Sequence, residues 1–153
     1  MRAIAYVDGS YMMTKEGKGV YGSGVLLILE GVDTPLEFYF GGSDESLVKM
    51  RNVAGEIMAC TQLVTYLEKN FPQVDWLDLY YDYEGIEKWV TGAWRAKIAA
   101  TMAYQEIMRG AQKRMRIKFF KVQAHSGNIY NERADRLAKN GVEAGVRELG
   151  LTL

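Results

Sequence analysis

Residues 3–8 have the sequence Ala3-Ile4-Ala5-Tyr6-Val7-Asp8, in which five apolar residues lead directly to an aspartate. A short apolar run of this kind predicts a buried strand. The Gly9-Ser10 pair and the Gly-rich stretch up to Gly19 then predict a turn. The sequence therefore predicts a first strand that ends at an acid.

The period of the apolar residues predicts the rest of the fold. In order, the predicted elements are strands at 20–29 and 36–40, a helix at 47–69, a strand at 76–81, helices at 84–90 and 97–113, a strand at 117–122, and a helix at 131–145 whose end is loosened by Gly141 and Gly145. The order βββαβααβα indicates an α/β fold with one mixed sheet and helices packed on it. The first three strands are predicted to form an antiparallel meander.

The composition is that of one globular domain, predicted to span residues 1–153. Hydrophobic residues make up 48% of the chain and charged residues 25%, and no apolar run approaches the roughly 20 residues that span a bilayer. Asp8 interrupts the N-terminal apolar run too early for a secretory signal. The single cysteine, Cys60, cannot form an internal disulfide, so we expect a reduced, cytoplasmic setting without a membrane partner.

Charge is distributed unevenly along the chain, although the formal net charge is zero. Residues 86–139 contain 12 Lys and Arg but only 4 Asp and Glu. A basic half beside an acidic half permits a polyanion to be held locally. A solvated helical surface explains the same distribution equally well.

Two aspartates follow predicted strands, Asp8 after the first and Asp82 after the fourth. Ligands of open α/β sheets bind beyond the carboxyl ends of strands, so these acids would share a crevice if the two strands are neighbours. Considered alone, each aspartate is explained as well or better as a turn-forming residue at the end of a strand.

Two further acids lie on predicted helices. Glu56 shares a helical face with Cys60 and Leu63, where an acid is costly unless it is paired or binds a metal. Asp135 aligns with apolar residues of the last helix, although a first-turn acid is also favoured by the helix dipole. Four inward acids require a cation, and oxygen ligands select Mg²⁺ or Mn²⁺ rather than zinc. Such a cluster suits two ions that act together in phosphodiester cleavage.

The only histidine, His125, precedes a predicted Ser-Gly-Asn turn, ten positions before Asp135. Alone, the two residues indicate a general acid–base pair on a loop and a helix. With Asp8, Glu56 and Asp82 in view, Asp135 is better interpreted as a metal ligand and His125 as an auxiliary.

Four motifs in order resemble type 1 ribonuclease H, in its bacterial form. They are Tyr6-Val7-Asp8-Gly9-Ser10, Asn52-Val53-Ala54-Gly55-Glu56, Tyr80-Tyr81-Asp82-Tyr83-Glu84-Gly85-Ile86, and the segment from Val122 through His125 to Ala138. The resemblance covers essentially the whole chain. It implies a five-stranded mixed sheet of order 3-2-1-4-5 and a monomer that cleaves the RNA strand of RNA–DNA hybrids with two Mg²⁺ or Mn²⁺ ions, largely without regard to sequence.

The resemblance also implies roles for individual residues. The four metal-binding and catalytic carboxylates are Asp8, Glu56, Asp82 and Asp135, and His125 assists product release or proton and metal traffic. Asn52 contacts the minor groove of the hybrid, Gly9 and Ser10 the RNA backbone, Trp94 the DNA strand, and Asn131 the substrate.

The sequence departs from that family at two places. Ala96–Gly110 is rich in Ala and Met, so the basic extension that binds hybrid is expected to be reduced. The chain starts at its first strand, so a hybrid-binding domain is expected to be absent. Two alternatives remain: a catalytically silent hybrid-binding domain, and a related nuclease of the same superfold that acts on DNA junctions.

Overall fold

The computed structural model describes residues 1–123 and 127–153. Within them the elements are β1 Arg2–Met13, β2 Gly19–Leu29, β3 Leu36–Gly42, α1 Glu45–Val48, α2 Asn52–Asn70, β4 Trp76–Tyr81, α3 Gly85–Thr91, α4 Ala99–Gln112, β5 Arg116–Lys121 and α5 Ile129–Leu149. None of the helices described is long and apolar enough to cross a membrane.

The strands form one sheet in the order β3-β2-β1-β4-β5. β1 pairs antiparallel with β2, and β2 with β3, whereas β4 pairs parallel with β1 and with β5. The mixed sheet, its 3-2-1-4-5 order and the antiparallel meander are therefore confirmed. β1 is the central strand.

Helices pack on both faces of the sheet. The larger core joins β1, β2 and β4 to α2, α3 and α4, with Val7, Leu63 and Leu79 among its buried side chains. On the opposite face α5 contacts β1, β2 and β3, where Leu26 and Leu137 are buried together. Alternate residues of β1 therefore enter different cores, as the pleat of a strand requires.

The predicted turn at Gly9-Ser10 is wrong, because β1 continues through both residues to Met13. Every residue from Asp8 to Met13 pairs with β2, down to Met13 opposite Gly19. The ladder of hydrogen bonds therefore outweighs the local preference of glycine for a turn, and the reversal occurs at residues 14–18.

Two helix boundaries also differ from the prediction. The helix predicted at 47–69 is divided into α1 and α2 by Arg51, whose φ of 56° no helix can contain. The last helix runs past Gly141 and Gly145 to Leu149 and ends at Gly150, whose φ is 69°. Gly141 does not loosen α5, because it lies against the backbone of β3 at Phe40.

Helix α2 lies unusually close to the sheet because glycines face each other at the contact. A Cβ added to Gly55 would overlap the carbonyl oxygen of Gly22 and lie 2.9 Å from the Cα of Gly9. The Ser23 hydroxyl donates a hydrogen bond of 2.6 Å to the Gly55 carbonyl across the same contact. The contact thus fixes the height of α2 above β1 and β2.

Gly55→Ala should lower the free energy of unfolding by about 1–3 kcal/mol, because the added methyl group has no space. Gly110→Ala in α4 is the matched control. Its Cβ would meet nothing within 4 Å, so the better helix propensity of alanine should stabilise the protein by up to about 1 kcal/mol. Urea denaturation measures both changes, and a stabilising Gly55→Ala would contradict the close contact.

Candidate active site

Asp8 and Asp82 lie on the two adjacent parallel strands at the centre of the sheet. Asp82 directly follows β4, as predicted, but Asp8 lies within β1 rather than at its end. Val7 faces the larger core, so the alternation of the strand turns the Asp8 side chain towards α5. The two acids therefore lie on the same side of the sheet.

One polar cavity of about 150 Å³ brings most of the predicted site together. It is lined by Asp8, Gly9, Asn52, Asp82, Asn131, Glu132 and Asp135. These residues come from β1, from the first turn of α2, from the first two turns of α5, and from the end of β4. Three of the four predicted carboxylates thus meet, together with Gly9 and two of the predicted amides.

The pKa of Asp8 is raised from its ordinary value of 3.8 to about 7. Burial is the main cause, and the negative charges of Asp135 and Asp82 add to it. The Gly9 amide donates a hydrogen bond of 2.8 Å to Oδ1 of Asp8, which offsets part of the rise. Asp8 therefore lies in a field that favours a bound positive charge or proton.

Glu56 is buried, with 3% of its surface exposed, as its helical face predicts. Burial raises its pKa to about 8, and the Asp8 and Asp82 charges contribute. Its Oε1 accepts hydrogen bonds from the backbone amides of Asp82, at 2.8 Å, and Tyr83, at 3.2 Å. Glu56 is thus turned towards the backbone after β4 and does not line the cavity, although it is the residue that holds Asp82 there.

Asp135 pairs with Lys139 one turn further along α5, at 3.1 Å between Oδ2 and Nζ. This end of α5 is held by Asn128, whose Oδ1 accepts hydrogen bonds from the amides of Tyr130 and Asn131. Such a side-chain cap fixes where the helix begins. It therefore fixes the positions of Asn131 and Asp135 at the cavity.

The donor set of this cavity suits a hard divalent cation, since it consists of carboxylate and amide oxygens. Within residues 1–123 and 127–153, however, no three His, Cys, Asp or Glu side chains are gathered closely enough to enclose an ion. Asp135 is paired with Lys139, and Glu56 accepts hydrogen bonds from backbone amides. The residues fit Mg²⁺ or Mn²⁺ in kind.

Besides Glu56, the predicted site residues Ser10 and Trp94 do not line the cavity. Ser10 lies two residues beyond Asp8 and lines a neighbouring cavity with Lys139. Trp94 packs edge-on against Trp89 and Tyr83, at 5.7 and 5.9 Å between ring centres. His125 lies outside the described residues.

Two charged residues at this site, Glu132 and Lys139, are not among the predicted site residues. Glu132 lies three residues before Asp135, and Lys139 lies four residues after it. Each is therefore one helical turn away, so the helical spacing of α5 predicts that both lie beside Asp135. Glu132 adds a fourth carboxylate to the cavity lining, and Lys139 supplies a cation where the acids repel one another.

Comparisons with known proteins agree with this architecture. The family model described as RNase H matches residues 1–143. The chain is 30% identical over 152 residues to "Ribonuclease H" of Chromobacterium violaceum, covering 94% of this chain and 96% of that relative.

Solved structures show the same fold at lower identity. The N-terminal RNase H domain of rv2228c from Mycobacterium tuberculosis superposes with a TM-score of 0.74 at 17% identity, covering 97% of this chain and 98% of that one. LC11-RNase H1 in complex with RNA/DNA hybrid gives 0.72 at 17% identity, covering 92% and 96%.

Asp8→Asn should stabilise the metal-free protein more at alkaline than at acidic pH. The folded-state pKa of Asp8 lies above its unfolded value, so wild-type stability falls as pH rises from about 4 through about 7. The asparagine removes this loss, so the gain over wild type should be roughly 1–3 kcal/mol larger at pH about 8 than at about 5.

Urea unfolding in EDTA measures this difference at the two pH values. Asp33→Asn, in the exposed turn between β2 and β3, is the control and should show no such trend. An equal effect of Asp8→Asn at both pH values would contradict the raised pKa.

Proposed function

This chain belongs to the ribonuclease H family, and we propose that it is an endoribonuclease that hydrolyses the RNA strand of RNA–DNA hybrids. One observation carries the proposal beyond membership of the family. Asp8, Asp82 and Asp135, from three separate elements, line one cavity together with Asn52. An acid-rich cavity has no structural purpose of its own, since the charges repel one another.

The cofactor that we propose is Mg²⁺, as two ions, with Mn²⁺ as a substitute. When bound, two such ions lower the pKa of the attacking water and stabilise charge on the leaving oxygen. Asp8, Asp82 and Asp135 are the proposed ligands on the cavity wall. Glu56 is the fourth proposed ligand. Its side chain would have to rotate away from the two backbone amides that now donate hydrogen bonds to it.

Selection of the hybrid is proposed to depend on contacts to the 2′-hydroxyl, the group that distinguishes RNA from DNA. Asn52 is exposed at the start of α2 beside the acids, where its amide can both donate and accept a hydrogen bond. Asn131 faces the same cavity from α5. Neither residue needs to contact a base, which supports cleavage that is largely independent of sequence.

The remaining roles follow from the family resemblance and are proposed on that basis. Gly9 and Ser10 contact the RNA backbone, Trp94 contacts the DNA strand, and His125 assists turnover. The Lys88 ammonium lies 5.3 Å from the centre of the Trp94 ring and also pairs with Glu84 at 3.1 Å, so it is a cation beside that ring whose charge is partly balanced. We propose a cytoplasmic monomer, in which the buried Cys60 thiol stays reduced.

The decisive experiment compares cleavage of RNA–DNA hybrid, double-stranded RNA and double-stranded DNA, each with Mg²⁺ and with EDTA. Only the hybrid should be cut, in its RNA strand and only with Mg²⁺. Asp82→Asn should slow cleavage by at least about a hundredfold, because a ligand of the ions is lost. Hybrid binding should be retained in that variant.

Other results would identify the alternatives. Hybrid binding without any cleavage would indicate a catalytically silent domain, and cutting of DNA junctions would indicate a different nuclease of this superfold. Full activity of Asp82→Asn would exclude the cavity as the catalytic centre.

Lys139→Gln should lower the Mg²⁺ concentration needed for half-maximal cleavage by about two- to fivefold, because the Lys139 ammonium competes with a cation for Asp135. Calorimetric titration with Mn²⁺ should show the same tightening without substrate. The control is Lys113→Gln at the end of α4, which should change neither measurement. A higher Mg²⁺ requirement would instead mean that Lys139 supports the bound state.

A further inference from the structure

One face of the sheet is left open beyond α5. We call it the β4–β5 face and define it by Trp76 and Tyr80 on β4 and Arg116, Lys118 and Phe120 on β5. Within the described residues α5 contacts β1, β2 and β3 on this side, and it leaves the three aromatic rings only half-buried. Arg116 and Lys118 are exposed.

Strand register arranges the side chains of this face in rows. Tyr6, Tyr80 and Phe120 are paired across β1, β4 and β5. Their rings are stacked at 4.5 and 4.8 Å between centres, with interplanar angles of 12° and 15°. Because β5 is the edge strand, the row of stacked rings ends at Phe120, whose outer side meets no further ring among the described residues.

The cations of the face are held against its rings. Arg2 and Arg116, on either side of Trp76, lie 4.8 and 4.7 Å from the ring centre. The Lys118 ammonium lies 5.2 Å from the centre of Phe120. Cations and aromatic rings therefore alternate over the face, which is the pattern of surfaces that bind single-stranded nucleic acid.

The acidic residues of the face do not neutralise all of its positive charge. The one buried acid of the face is Asp78. It accepts a hydrogen bond from Arg2 and another, of 2.8 Å, from the indole nitrogen of Trp76. Arg116 and Lys118 form no ion pair with any residue in the ranges that the structure describes. Two cations thus remain available for an anionic partner.

The face is continuous with the acid cavity. Asp8 and Asp82 come two residues after Tyr6 and Tyr80, so the alternation of the strands puts the acids directly beyond the aromatic row. Tyr130 extends the row, with its ring centre 5.4 Å from that of Tyr6, and its neighbour Asn131 lines the cavity. The cavity and the face therefore adjoin each other along β1 and β4.

We propose that the β4–β5 face binds a single-stranded polynucleotide segment next to the catalytic cavity. An unpaired base takes the place of the Lys118 ammonium over the Phe120 ring and so continues the row, and the adjoining phosphates are bound by Arg116 and the displaced Lys118. A duplex does not fit this role, because its bases are already stacked and paired. The inference rests on the proposed function in one respect: it takes the bound strand to be a single-stranded part of the substrate that lies outside the hybrid.

The first test removes the charges. Anisotropy of a labelled oligothymidylate of about 12 nucleotides reports binding in EDTA at several salt concentrations. The double substitution Arg116→Gln and Lys118→Gln should weaken binding about tenfold at low salt and reduce the slope of log K against log salt by about 1.4, at about 0.7 for each phosphate contact. Lys69→Gln with Arg147→Gln, exposed on the last turns of α2 and α5, removes the same charge and should change neither value.

The second test separates stacking from charge. Phe120→Leu should weaken oligothymidylate binding about fivefold or more, while leaving the affinity for an abasic oligonucleotide of equal length unchanged. Equal losses for both probes would overturn the stacking contact.

Unchanged oligothymidylate binding in the double variant, or a loss equal to that of the charge control, would overturn the proposal and leave the face to an acidic protein partner. Cleavage of hybrid by the wild-type chain tests the proposed function separately, since binding is measured without metal. Thermal unfolding of each variant shows whether the fold is retained, and a second pair, Arg116→Lys and Phe120→Tyr, should keep binding close to wild type.

Discussion

The contact between α2 and the central strands, where Gly55 meets Gly22 and Gly9, is the constraint on which the rest of the structure depends. It sets the distance between the helix that carries Asn52 and Glu56 and the strand that carries Asp8. Because the contact is made between backbones, no side chain can adjust it. The acids are close together because the glycines allow the elements that carry them to be close.

Glu56 connects this contact to the chemistry of the cavity. Its carboxylate accepts hydrogen bonds from two consecutive amides after β4, so α2 holds the end of a strand to which it is not adjacent in sequence. Asn128 similarly fixes the start of α5 by capping its first turn. Asp82 and the helix that carries Asp135 are thereby positioned through their backbones, although the charges of the cavity repel one another.

Much of this architecture could be predicted from the sequence, and the failures have physical causes. The sequence predicts the fourth strand at its observed limits because Pro72 precedes the apolar residues and Asp82 follows them. The helical spacing of Glu56 with Cys60 likewise predicts that Glu56 is buried. Gly9 resembles a turn residue locally, but a glycine is needed there because α2, which is distant in sequence, packs against its backbone. Arg51 carries no local sign of its positive φ. The role of His125 stays a prediction, since that residue lies outside the described residues.

The positive φ of Arg51 also makes the two sides of the cavity differ in rigidity. A non-glycine residue in this conformation costs about 1–3 kcal/mol, and α1, which precedes it, buries none of its residues. Opening α1 would release that cost, whereas opening β1 or β4 would break the larger core. The segment that leads into Asn52 is therefore expected to open before the strands that carry Asp8 and Asp82, while Asn52 itself stays at the close contact with Gly9.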